Sequence, residues 1–161
     1  MAKNNNEAKI KFTAETGDFN DAIKASNREM SELRAELKLN ETQMKANGTS
    51  VEGLEKKHSI LKSQLEASQN KTEALNQKVK KAAEIFGENS DEASKLRIQL
   101  LNAQNAEEKL KVAVNSCEKE LEDQKAAANK AENASEELTD ENKKLDKSFD
   151  EVDSSAGKVG D

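Results

Sequence analysis

Apolar residues recur along this chain in alternating steps of four and three, and they keep one seven-residue phase from Phe19 to Val152. With Ile23 as position a, the large apolar residues at a are Ile23, Met30, Leu37, Met44, Val51, Leu65, Val79, Phe86, Leu100, Val114, Leu121 and Phe149. Position d, counted from Phe19, supplies Phe19, Leu33, Leu54, Leu61, Leu75, Leu96, Leu110, Cys117, Leu138 and Leu145. With the alanines and Val152 included, 28 of the 39 seam sites are apolar. A chain of this composition would place about 13 there by chance, so the stripe is a helix-packing seam. Its period of 3.5 is shorter than the 3.6 of a straight helix, which predicts a left-handed supercoil. The fold class expected is all-α: an elongated coiled coil of long helices.

Two segments interrupt the helix locally. Asn47-Gly48-Thr49-Ser50 reads as a stop followed by a capping box, with Thr49 as N-cap and Glu52 three residues on. Phe86-Gly87-Glu88-Asn89-Ser90-Asp91-Glu92 reads likewise, with Asn89 or Ser90 as the cap and acidic residues at the positive helix end. The expected helices are 18–46, 51–86 and 90–152, with breaks near Gly48 and Gly87. The heptad phase crosses both glycines unchanged, which favours extended or gently kinked rods that self-associate. The alternative is a folded-back antiparallel helix bundle within one chain.

Ahead of the seam, Lys9-Ile10-Lys11-Phe12-Thr13 alternates polar and apolar as a half-buried β-strand does, and Thr16-Gly17-Asp18 turns the chain into the first helix with Asp18 as N-cap. This divides the chain into an N-terminal arm with a short strand (1–17), a heptad region (18–152) and a flexible tail (153–161).

Composition narrows the function classes. Only 34% of the 161 residues are hydrophobic and 36% are charged, with no proline. That is too apolar-poor for a compact globule of this length and suits a thin helical assembly with a narrow stripe. The 26 basic and 32 acidic side chains are interspersed, so no basic stripe predicts nucleic-acid binding. No window approaches a membrane span, and the start MAKNNNEAKIKF lacks the apolar core of a signal peptide; cytosolic production is expected. The lone Cys117 agrees and reads as a small core residue.

Candidate chemistry is sparse. His58, the only histidine, falls at an a position with no converging ligands, so it reads as a polar seam residue. No phosphate-cradling glycine loop or nucleophile set is present. We expect no enzyme activity, no catalytic residues, no cofactor and no metal. In parallel strands, g-to-e pairs such as Glu29–Arg34 attract while Glu141–Asp146 repel, so charge does not select the oligomer. Alanines at g in the last helix, Ala106, Ala113, Ala127 and Ala134, suit more than two helices, and a homotrimer is expected.

The opening KIKFTAETGDFNDAIKASNREMSELRAELK, and then LEKKHSILKSQLEASQNKTEALNQKVKKAAEIFGENSDEASKL, resembles the N-terminal region of tail tape measure proteins of phages of Gram-positive bacteria and of phage-tail-like bacteriocins. The likeness covers about residues 9–121, and GDFNDAIK and FGENSDEASKL are its more specific parts. It implies a structural protein extended along the lumen of a phage tail tube that sets tail length during assembly, and that is found in the host cytoplasm until then. The partners it implies are the tail tube protein, a tail assembly chaperone and tail initiator or baseplate proteins. Family members are typically several times longer, so the resemblance implies an N-terminal part or a short relative. The other reading of the residues is a cytoplasmic coiled-coil scaffold or spacer.

Overall fold

The computed structural model describes residues 2–157, with side chains from 5 to 151, and every regular element in them is helical. The elements are α1 (Ala2–Glu15), α2 (Gly17–Asn47), α3 (Val51–Phe86) and α4 (Asp91–Gly157). A chain without proline and rich in Ala, Glu, Lys and Leu meets few local penalties to helix formation. α2 and α3 stop where glycine ends them, and α1 gives way to α2 at Thr16. Gly48 and Gly87 follow α2 and α3 with φ of 85° and 97°, a region that costs glycine little and other residues more. Residues 153–157, expected in a flexible tail, continue α4, and 158–161 lie outside the described residues.

The caps differ in detail from the expected ones. Ser50, not Thr49, begins α3, and its Oγ accepts from the Gly53 backbone N–H at 3.0 Å. Ser90 begins α4, its Oγ accepting from Ala93 N–H at 3.2 Å. Asp18 lies inside the first turn of α2, and no side chain caps that helix. At the junction, Thr16 N–H donates to Phe12 O at 3.0 Å and Asn20 N–H donates to Thr16 O at 3.0 Å. Thr16 Oγ1 also donates to Phe12 O at 2.7 Å, so α1 passes into α2 with little interruption.

The N-terminal strand is not formed: residues 9–13 are part of α1. Strand-like alternation has structural meaning when both apolar residues bury on one face, and here Ile10 is 71% exposed while Phe12 is half-buried. Residues two apart point about 200° apart on a helix, so α1 can bury one and release the other. The Phe12 ring meets the Phe86 ring edge-on, centroids 5.3 Å apart at 61°, and Glu15 reaches Lys81 at 3.5 Å.

Residues 1–121 form one compact unit, and within it the helices fold back. Asn40 Nδ2 donates to Gly53 O at 3.0 Å and Lys78 Nζ donates to Asn20 Oδ1 at 2.8 Å, so α2 and α3 run antiparallel. Cys117 Sγ donates to Leu54 O at 3.7 Å and Lys57 pairs with Glu120 at 3.5 Å, while Ala82 clusters with Ala93 and Leu96. These contacts set α3 antiparallel to the part of α4 before residue 122. An extended rod over residues 19–121 is therefore replaced by the antiparallel bundle.

The reason is the length of the loops. Three residues separate α2 from α3 and four separate α3 from α4. Each loop substitutes for about one 3.6-residue turn, so the heptad count passes through a reversal of chain direction unaltered. Phase continuity does not distinguish a rod from hairpins of this kind.

Helix α3 lies at the centre of the unit. Beyond its d-row residues Leu54, Leu61, Ser68, Leu75 and Ala82 it buries Ile60, Ala67 and Ala74, a second row spaced by sevens. The core holds Leu61, Val114 and Cys117 with Leu37, Leu65 and Ala113 packed against them at one end. Ala82, Ala93 and Leu96 with Phe12, Val79 and Phe86 fill the other. Residues 122–161 form a second unit, helical as far as Gly157.

Candidate interaction surface

The heptad seam divides at the boundary between the two units. Met30, Leu54, Leu61, Leu75, Leu96, Val114 and Cys117 are buried. Phe19, Ile23, Leu33, Leu37, Met44, Val51, Leu65, Val79, Phe86, Leu100, Leu110 and Leu121 are half-buried. The three remaining residues are open: Leu138 is 61% exposed, Leu145 55% and Phe149 64%. They lie seven and four residues apart, within a stripe about 40° wide at 100° per residue. This is an apolar face in the position of a packing seam, with nothing from residues 122–151 covering it.

Charge changes at the same boundary. Residues 1–121 hold 20 acidic and 20 basic side chains, whereas 122–161 hold 12 and 6, so the whole net charge of −6 belongs to the second unit. Ala127, Ala128, Ala131 and Ala134 keep the first half of the exposed face narrow, and Leu138, Leu145 and Phe149 make its second half broad.

A second feature lies inside residues 1–121. A cleft of about 590 Å³ opens between α2, α3 and the first part of α4, floored by Met30, Leu75 and Ala103. Lys24, Arg34, Lys71 and Lys78 line it and no carboxylate does. Burial holds the Lys78 ammonium below the usual lysine range, and its partners are the Asn20 amide and, at 6.0 Å, the Phe12 ring.

Two buried polar groups stand out in residues 1–121. Asn40 sits at a d position, 3% exposed, and ties α2 to α3. Gln64, at g and also 3% exposed, has a buried Nε2 with no hydrogen-bond partner. Asn40 is a polar residue on the seam; Gln64 carries no signal in the heptad pattern. Ile60, apolar and off the seam, is buried on the second face of α3.

His58 is half-buried, and among the described residues no three His, Cys, Asp or Glu side chains are grouped to hold a metal ion. Cys117 is 1% exposed, and desolvation pushes its thiol above the ordinary value despite Lys57 nearby. No helix among the described residues is long and apolar enough to cross a membrane. Comparison with protein-family models, with curated proteins and with solved structures gave no match in any of the three.

Proposed function

We propose that this chain is the N-terminal part of a phage tail tape measure protein, a structural component of the tail tube lumen that sets tail length and resides in the host cytoplasm during assembly. The observation that carries the reading is the resemblance of residues 9–121, with GDFNDAIK and FGENSDEASKL as its specific parts. The helical chain supports it physically, because a helix converts residue number into length at about 1.5 Å per residue. Tail tube, tail assembly chaperone and initiator or baseplate proteins are the proposed partners, together with further copies of this chain in a coiled coil.

The fold-back of residues 19–121 changes which segment can measure. Three antiparallel helices share one axis, so a packed residue there adds about a third of the length that a residue in a single helix adds. Removing residues 65–78 would unpair α2 and α4 from α3 rather than shorten a rod. The informative deletion is 129–142, two whole heptads outside the packed unit. Expressed from the phage genome, it should shorten tails by about 21 Å. Tails of unchanged length in electron micrographs would overturn the ruler role.

The same fold-back favours a second reading, a cytoplasmic coiled-coil scaffold or spacer, since bundled helices serve a connector as well as a ruler. Tail tube and tail chaperone genes beside this one favour the tape measure; their absence favours the scaffold.

A further inference from the structure

We infer that the exposed helical segment 124–149 pairs with the same segment of a second copy, antiparallel, in the register that sets Ser135 opposite Leu138. This goes beyond the reading above and does not depend on the ruler role, so a failed tail-length test leaves it standing.

The seam residues of the segment are Gln124, Ala128, Ala131 and Ser135 in its first half and Leu138, Asn142, Leu145 and Phe149 in its second. Parallel, in-register helices would place Ala on Ala at one end and Leu or Phe on its own copy at the other. Their separation would have to widen along the pair, leaving gaps or splayed ends. Antiparallel pairing in the stated register sets Leu145 against Ala128, Leu138 against Ser135, Asn142 against Ala131 and Phe149 against Gln124. Three of the four layers then join a broader side chain to a narrow one, with Gln124 meeting Phe149 at each end, and the helices can stay close to evenly spaced.

Antiparallel helices flank their seam with e–e and g–g contacts. In this register Lys125 of each copy meets Asp146 of the other, giving two attractive pairs, and the remaining contacts pair Glu132 with Thr139, Ala134 with Glu141 and Ala127 with Ser148. No like charges meet. Sliding the register by one heptad in one direction brings Glu132 onto Asp146 and Glu141 onto its own copy; in the other, Glu132 meets itself. The parallel arrangement opposes Glu141 and Asp146. Like-charge neighbours destabilise such helices, so side-chain size and charge select the same register.

Leu138, Leu145 and Phe149 are 55–64% exposed, in the phase that is buried or half-buried wherever residues 1–121 pack. The excess acid of residues 122–151 lies largely at b, c and f positions, outside the contact. An isologous pair of this kind closes as a two-fold dimer rather than the expected trimer.

The test uses the full chain with Cys117→Ser and a single spin label at residue 123 or 150, each introduced by Asp→Cys. Mixing the two labelled proteins should give an intermolecular distance of about 20 Å, while either alone should give about 40 Å between copies, from 27 residues of helical rise and an interaxial spacing of about 10 Å. Light scattering should show a concentration-dependent dimer. Lys125→Glu, a change at an exposed site, should weaken it about fivefold, and adding Asp146→Lys should restore it. A mass that stays monomeric to about 1 mM, where even the weakest specific contacts register, would overturn the proposal. So would a trimer, a short distance between like labels, or a Lys125→Glu/Asp146→Lys chain that dimerises no better than Lys125→Glu.

Discussion

Asn40 and Gly53 are joined across the α2–α3 hairpin by a 3.0 Å hydrogen bond from the Asn40 amide to the Gly53 carbonyl. Asn40 is almost fully buried at a seam position that leucine would ordinarily fill, and a Cβ on Gly53 would lie 2.8 Å from Met44 Cγ. The missing side chain at residue 53 lets Met44 and the Asn40 amide close on the start of α3. A polar residue at this site favours the reversal, because its partner is a backbone carbonyl thirteen residues on. Asn40→Ala should lower the unfolding free energy by about 1–2 kcal/mol, read from urea denaturation with an unchanged slope.

Gly48 and Gly87 separate the hairpin bundle from a continuous rod by the sign of one effect. In a straight helix Gly→Ala stabilises by about 1 kcal/mol. At φ of 85° and 97° an alanine is strained instead, so Gly48→Ala and Gly87→Ala should each destabilise by about 1 kcal/mol. Space is not the obstacle, since no atom lies within 4 Å of a Cβ at either site. Thermal melts of both variants above the parent would exclude the fold-back.

Gln64 carries the opposite expectation. Its buried Nε2 lacks a partner, and a buried amide left unsatisfied costs about 1–3 kcal/mol. Gln64→Met keeps the length of the side chain and removes the polar end. It should raise stability by about 1 kcal/mol, seen as a higher denaturation midpoint; a loss would mean that the amide is satisfied in solution.

Cys117 links burial to pH. Desolvation raises its pKa in the folded state, so the unfolded chain gives up the thiol proton first. The native state then binds more protons than the unfolded one above the ordinary thiol pKa of about 8.5. Stability contributed by this group is full below that pH and is lost as pH rises through the folded value. Relative to Cys117→Ala, the parent should lose stability as pH rises above the ordinary thiol value, and its thiol should react with a disulfide reagent at pH 8 only after denaturant is added. Prompt reaction of the native protein would contradict the packing of Cys117 against Leu54.

Helix formation, the two glycine stops and the seam were legible in the residues alone. Each is set by contacts within one or two turns: φ preferences at Gly48 and Gly87, a capping hydroxyl at Ser90, and an apolar residue every three or four positions from Phe19 onward. The direction of the chain after each stop was not legible, because loops of three and four residues preserve the heptad phase whether the next helix continues or returns. The same holds for the N-terminal arm. Lys9 to Thr13 alternate like a strand, but their conformation follows from Phe12 finding Phe86, a neighbour 74 positions away. Only the packed structure could decide which part of the seam is already used, since periodicity is identical in Leu61, closed in the core, and Leu145, open to solvent. Local sequence encodes which face of a helix is apolar; what covers that face depends on the rest of the chain.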